Sequence, residues 1–280
     1  MKPAAKRKVV QHLQGQHGLS QRRACRLTQC NRKSARHVSK HGDDTELREA
    51  MKQLAEAKPA WGYRMLHGAL RLSGWVFNHK KAHRLYREEK LVLRRRGKKR
   101  LKCQKRGPVP AVTAPGQRWT MDFIQDRLAD GRSFRTLNLT ECFTRQCLGQ
   151  DVDTSLSGVR VVRLLEQTAQ THGLPELIQV DNGPEFRSKA LDVWAYQNKV
   201  KLDFIEPGKP TQNGQIESFN GRFRAECLDQ EWFSSLQQAR EMIEAWRVLY
   251  NSQRPHSSLG YLPPDVWTEK YYQNQQNLML

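Results

Sequence analysis

From residue 118 onward the chain changes its rhythm, and that change limits the folds open to it. Short apolar runs at 118–124, 134–140 and 145–152 have the length and flanks of three successive strands. A helical stripe follows over 157–172, with Val159, Val162, Leu165 and Ala169 on one side and His172-Gly173 at its end. A strand at 177–181, a helix at 188–198 and a strand at 201–206 come next. Another helix is expected after the breaker segment Pro210–Gly214, and a long one from Leu236 to Asn251. Three consecutive strands and then alternating helix and strand imply an α/β layer fold around a mixed sheet. No internal repeat of fixed period runs through the chain.

Three acids stand out against this framework. Asp122 interrupts the apolar run of Trp119, Met121, Phe123 and Ile124, and Asp181 closes the run Leu177–Val180 just before a turn-forming Asn182-Gly183-Pro184. Glu217 lies just inside the helix that starts after Gly214. With 28 Asp and Glu in the chain, ordinary solvated carboxylates are the plain alternative. A carboxylate within an apolar strand, however, is costly unless something compensates its charge. Two strand-borne aspartates and one helix-borne glutamate can converge on a pair of divalent metals about 4 Å apart, which clamp a phosphodiester for in-line displacement.

The charge is divided unevenly. Of 280 residues, the first 110 hold 30 Lys and Arg against 7 Asp and Glu, a net +23; the remaining 170 hold 18 against 21, a net −3. A strongly basic module beside a near-neutral one that carries the acids fits a protein that grips a polyanion with one part and cuts it with the other. The basic run Arg94–Arg106 also reads as a solvated linker. Six cysteines at 25, 30, 103, 142, 147 and 227 form no C-x-x-C pair, and there is neither a signal-type h-region nor an apolar run of membrane-spanning length. Free thiols in a reducing cytosol are expected. His12, His17, Cys25 and Cys30 have poor spacing for a tetrahedral zinc site, and Cys25 falls within an apolar helical pattern beside Leu27.

The basic half reads as helical. Ser20 is placed to cap a helix carrying Ala24 and Leu27, Cys30 and Asn31 interrupt it, and Arg32–Val38 resumes as a short basic helix. An amphipathic helix over 46–58 ends at Pro59, a second opens at Trp61, and Asn78 is placed to cap a third over His79–Lys90. Ala82, Leu85 and Tyr86 form the core face of that third helix, and Lys80, Lys81, Arg84 and Arg87 its outer face. Both helical pairs carry the helix-turn-helix pattern. Small helical bundles with solvated lysines share that pattern. Residues 94–117, basic and then rich in Pro and Gly, read as a linker.

Five segments together, WTMDF, DGRSFRTLN, GLPELIQVDNGPEF, PGKPTQNGQIESFNGRFRAECL and YNSQRPHSSLGY, resemble the transposase proper (OrfB) of the bacterial insertion sequence 3 family. SQRRAC and GYRMLHGALRLSGWVFNHKKAHRLYREEKL resemble its N-terminal helix-turn-helix regions, so the likeness runs almost from end to end. It implies an RNase H-like core, a five-stranded mixed sheet flanked by helices over 118–270, preceded by all-α regions at 1–45 and 46–93, joined through the 94–117 linker and followed by a tail at 271–280. It implies that Asp122, Asp181 and Glu217 are the metal-binding D-D-E triad for two Mg²⁺ or Mn²⁺ ions, with Asp122 shared between them. It implies cleavage at the element's terminal inverted repeats and joining of a 3′-hydroxyl to target DNA, by a homo-oligomer on DNA in the bacterial cytoplasm near the nucleoid. OrfB usually works as a fusion to, or partner of, an upstream OrfA. Glu141 departs from the family, which tends to have Asp there, with no expected loss of chemistry.

DNA contacts are expected from Arg224 and Asn220, which share the Glu217 face of the helix at i+7 and i+3. Lys209 and Gln212 in the preceding segment, Arg22 and Arg23, Lys80, Lys81 and Arg84, and Arg94, Arg95 and Arg96 complete that set. Arg254 and His256 read as a structural turn. Two rival functions remain: a catalytically silent DNA-binding regulator, and an RNase H-like nuclease.

Overall fold

The structure is a computed structural model that describes residues 3–37, 44–93, 111–206 and 213–279. The chain divides into two compact units, Met1–Leu47 and Arg48–Leu280.

In the first unit, α1 (Pro3–His17), α2 (Gln21–Leu27) and α3 (Arg32–Ala35) pack around a small core of Val10, Ala24, Cys25 and Cys30. Ser20 caps α2 through the Arg23 N–H, and Asn31 caps α3 through the Lys33 N–H at 2.9 Å. Cys25 and Cys30 thus fill an apolar core, and among the described residues no three His, Cys, Asp or Glu side chains are grouped to hold a metal. α1 has no counterpart among the expected elements, because it is polar nearly throughout and buries only Val10 fully. α3 is a single turn and stops short of the expected Val38, which lies outside the described residues.

α4 (Thr45–Ala57) runs from the first unit into the second, which continues with α5 (Tyr63–Leu72) and α6 (His79–Glu88). Asn78 caps α6 by accepting from the Lys80 N–H at 2.8 Å. Arg48 bridges to Glu88 and Glu89, and Lys52 reaches Glu89 at 2.9 Å, which ties α4 to the end of α6.

The sheet has five strands in the order β3-β2-β1-β4-β5. β1 (Arg118–Arg127), β2 (Ser133–Glu141) and β3 (Cys147–Asp153) form an antiparallel meander. β4 (Leu177–Val180) runs parallel to β1, and β5 (Lys201–Phe204) parallel to β4. α7 (Gly158–His172) and α8 (Lys189–Asn198) cover one face, where Met121, Leu137, Leu139, Ile178 and Val180 meet Val161, Leu165, Leu191 and Trp194. α9 (Gly214–Glu226) and α10 (Leu236–Ser252) cover the other, where Phe134, Cys147 and Val152 meet Ile216, Phe219, Phe223, Ile243 and Trp246. Apolar residues on both faces explain why the strands read as near-continuous apolar runs. The last helix, α11 (Pro264–Met279), continues to Met279 within the 271–280 stretch set apart as a tail; Trp267 and Tyr271 seat it against Phe143.

Candidate active site

β1 and β4 are adjacent, parallel and central, and the sheet changes direction beside them, where β1 meets β2. Thr120 pairs with Gln179. Continuing that register by two residues sets Asp122 level with Asp181, on strands about 4.8 Å apart. Open α/β sheets bind ligands at such a point, beyond the carboxyl ends of parallel strands. Trp119 and Met121 enter the α7 side of the core while Asp122 faces α9, as strand alternation requires.

α9 carries Glu217, exposed, in its first turn. The three acids share one electrostatic field. Burial lifts the Asp122 carboxyl to about 6; the Phe123 N–H opposes this, the charges of Asp181 and Glu217 add to it, and the Asn220 amide opposes it. Among the described residues no three His, Cys, Asp or Glu side chains, these three acids included, are grouped closely enough to hold a metal ion.

Each aspartate is held from behind. Asp122 Oδ1 accepts from the Phe123 N–H at 2.8 Å, and Oδ2 accepts from Asn220 Nδ2 at 2.8 Å. Asp181 Oδ1 accepts from the Gly183 N–H at 2.9 Å, while Asn182 donates to the Ile205 carbonyl at 2.6 Å and pins the turn to the chain after β5. A Cβ at Gly183 would sit 3.0 Å from Asp181 Oδ1, so a larger residue there would push that carboxylate aside by a few tenths of an ångström. Glu141 is buried, its carboxyl raised by that burial; it accepts from the Thr144 N–H and hydroxyl and so braces the turn after β2.

The Asn220 amide is engaged within the protein on both sides. Its Oδ1 accepts from Asn138 Nδ2 at 2.7 Å, and Asn138 Oδ1 accepts from Gln150 Nε2 at 2.6 Å. A chain of three amides therefore runs from β3 through β2 and α9 to Asp122. Asn138 and Gln150 escaped the sequence reading, although a polar residue inside the apolar run around Leu137 and Leu139 was a signal. Arg224 shares the Glu217 face as expected, and it donates to the Gln125 carbonyl at 2.8 Å and lies 3.8 Å from Asp229. Arg22, Arg23 and Lys80 are exposed, and Arg84 sits 3.8 Å from Glu88 on its own helix. Lys81 is half-buried on that helix. Lys209, Gln212, Arg94, Arg95 and Arg96 lie outside the described residues.

Arg254 and His256 are buried, in keeping with a structural turn. Arg254 pairs with Glu226 through Nε at 2.7 Å and through Nη2. His256 Nε2 lies 3.4 Å from Arg254 Nη1.

Residues 112–210 and 198–264 match the Integrase core domain family, and residues 42–99 match an HTH-like domain. An insertion element IS476 protein of Xanthomonas euvesicatoria is 42% identical over 98% of this chain and 80% of its own length. An insertion element IS407 protein of Burkholderia multivorans is 43% identical over 90% of this chain and 92% of its own. The chain belongs to the OrfB transposases of the insertion sequence 3 family. A probable transposase for element IS1353 of Shigella flexneri is 26% identical over 79% of this chain and 46% of its own length. Among solved structures, the HTLV-2 integrase catalytic core domain in complex with magnesium aligns with a TM-score of 0.42 at 15% identity, over 54% of this chain and 94% of that one.

This transposase is thus a DNA-acting polynucleotidyl transferase of the D-D-E type, with an integrase core behind a helix-turn-helix-like region. No helix among its described residues is long and apolar enough to cross a membrane.

Proposed function

We propose that Asp122, Asp181 and Glu217 are the catalytic acids of this transposase and hold two Mg²⁺ or Mn²⁺ ions. The observation that carries this reading is the Asp122 carboxyl, raised to about 6 between burial and the charges of Asp181 and Glu217. Such a cluster is strained at neutral pH until a cation joins it. The donor set suits hard ions, since every donor is a carboxylate oxygen. When bound, the metals supply Lewis acidity at the attacking and leaving oxygens.

The protein's own part is to place the carboxylates on rigid elements and to align the DNA. Water opens the phosphodiester at the element end and frees a 3′-hydroxyl; the same groove then directs that hydroxyl onto a target strand, with no covalent protein–DNA intermediate. Arg224, on the Glu217 face, is suited to hold a flanking phosphate. Arg22, Arg23, Lys80, Lys81, Arg84, Lys209, Gln212 and the Arg94–Arg96 run supply further contacts to the backbone. The chain works in the bacterial cytoplasm as an oligomer on paired element ends, with OrfA as partner or fusion.

Asp122→Asn, Asp181→Asn and Glu217→Gln tested separately decide between this reading and a silent regulator. Cleavage and strand joining should each fall by at least a thousandfold while gel-shift affinity stays within severalfold. Near wild-type joining by Asp181→Asn would sink the assignment. Cleavage without joining on terminal-repeat DNA would favour a plain nuclease.

A further inference from the structure

Beside the acidic groove, on a different face of α9, lies a cleft of ≈ 240 Å³. It lies between the start of α9, the turn after β2 and the Tyr250–Ser258 segment that closes α10. Arg145 and Arg222 line it, with Ser218, Ser257 and Ser258 exposed beside them and His256 buried in its wall. Its volume holds several waters, each taking about 30 Å³, or one tetrahedral oxyanion with part of its hydration.

The charges here do not balance within the protein. Arg222 is half-buried, and among the described residues the guanidinium of neither Arg222 nor Arg145 makes a hydrogen bond or an ion pair. Glu226 is within electrostatic reach of Arg222, but its carboxylate is already engaged by Arg254. Burial holds the Arg222 guanidinium below its ordinary range; the Tyr250 and Glu226 charges oppose this, and Arg254 and Arg145 add to it. Arg145 itself stands at φ 66, a left-handed conformation that a side chain of its size seldom adopts. The guanidinium of Arg254 can only donate, so His256 Nε2 accepts from it and the ring's proton sits on Nδ1, leaving a neutral donor beside two cations. Two cationic side chains with no carboxylate in the lining and a row of hydroxyls make a site that lacks an anion. Half-buried cations with no carboxylate of their own can take up an anion, and departures of that kind concentrate at functional sites.

We propose that this cleft seats one backbone phosphate of the DNA, with Arg145 and Arg222 as its cations and the hydroxyls of Ser218, Ser257 and Ser258 as donors. The assignment rests on the reading of the chain as a DNA strand transferase. Helix geometry supports it. Arg222 is five residues beyond Glu217, about 7.5 Å along the α9 axis at about 1.5 Å per residue. The offset around the helix places the phosphate beside the acids rather than on them. A guanidinium pair suits a phosphate through two-pronged hydrogen bonds.

The full-length protein tests this through two arms. In thermal melts at fixed ionic strength, inorganic phosphate should raise the midpoint of the wild type by several degrees and leave Arg145→Ala and Arg222→Ala unmoved. Without phosphate, Arg222→Ala should melt no lower than the wild type, because the guanidinium there has no partner to lose. In salt titrations of terminal-repeat DNA binding, each variant should lower the slope of log affinity against log salt by about one. Ser218→Ala supplies an independent, milder variant on the hydroxyl side of the cleft, and it should weaken the phosphate stabilisation without abolishing it. Equal phosphate stabilisation of wild type and variants overturns the anion site, as does a lower melting point of Arg222→Ala in phosphate-free buffer. Phosphate binding lost with an unchanged DNA salt slope overturns the DNA assignment and leaves a free-anion pocket. Asp181→Asn measured alongside separates the two readings: its retained cleavage would defeat the catalytic assignment without touching the phosphate arm.

Discussion

At the scale of single residues, the amide chain from Gln150 through Asn138 and Asn220 to Asp122 has a directional consequence. Each amide donates toward the acid, so the chain favours the ionised carboxylate. Asn220→Ala should raise the Asp122 pKa and move the acidic limb of the cleavage rate to higher pH. It should also reduce the rate at neutral pH by about tenfold, equivalent to about 1.4 kcal/mol. An unchanged pH limb would show that Asn220 only packs. His256 makes a second prediction. Burial first, then the charges of Arg254, Arg222 and Arg145, lower its pKa to about 3. The folded ring therefore stays neutral where the unfolded one, titrating near 6.5, takes up a proton. The unfolded state binds more protons below that pH, so this group's stability contribution is full above about 6.5 and is lost progressively as the pH falls toward 3. At pH 5 the loss amounts to about 2 kcal/mol. Denaturant melts of His256→Gln should show a shallower decline between pH 7 and 5 than the wild type, and parallel curves would refute the point.

At the scale of elements, the seam between α10 and β3 decides how firmly the meander holds Gln150 and Asn138. The β2–β3 register shifts between Leu139 and Thr140, which leaves the Cys147 backbone at an irregular place in the ladder. Asn251 repairs it from α10: its Oδ1 accepts from the Cys147 N–H at 2.9 Å, and its Nδ2 donates to the Cys147 carbonyl at 2.9 Å. Asn251→Leu keeps the volume, strands the Cys147 N–H and removes one of two bonds to its carbonyl, which keeps Arg247 Nη1 at 3.2 Å, at a cost of about 3 kcal/mol. For a unit of this size the melting point should fall by roughly 6–10 °C, while Asn251→Gln should lose less; a drop under 2 °C would contradict the repair. This bond joins residues 104 apart and has no trace in the local pattern. The strands themselves were legible, because apolar runs bounded by turn residues mark them: 118–124 was expected and Arg118–Arg127 found, 177–181 expected and Leu177–Val180 found. The caps at Ser20 and Asn78 were legible for the same local reason. α11 was not, since Trp267 and Tyr271 seat it on Phe143, a residue far back in the sequence. The acids could be read as interruptions of apolar runs, whereas Arg145 and Arg222 gave no such sign, because only the folded chain reveals that a cation lacks a partner.

For the whole molecule, affinity and chemistry are assigned to different stretches of one chain. The first 110 residues carry a net +23 and the rest a net −3, while all three acids lie in the second stretch. On the proposed reading, counterion release at the first stretch drives DNA binding, and neutralising an acid in the second should hardly alter it. Arg22 and Arg23 are exposed on α2 and Lys80 on α6, so their combined change to Ala removes charge without emptying a core. In the full-length protein this triple variant should lower the slope of log affinity against log salt by about two to three, near 0.9 for each lost phosphate contact. Its melting point should stay within about 1–2 °C of the wild type, as surface substitutions usually cost less than about 0.5 kcal/mol. Asp181→Asn should show the converse, an unchanged salt slope with joining abolished. Saturating the triple variant with DNA at low salt should restore its joining rate, because its acids are intact and only its grip is weakened. A triple variant that binds with the wild-type salt slope would place the phosphate contacts elsewhere, and one that saturates with DNA yet fails to join would show that the basic helices take part in the chemistry.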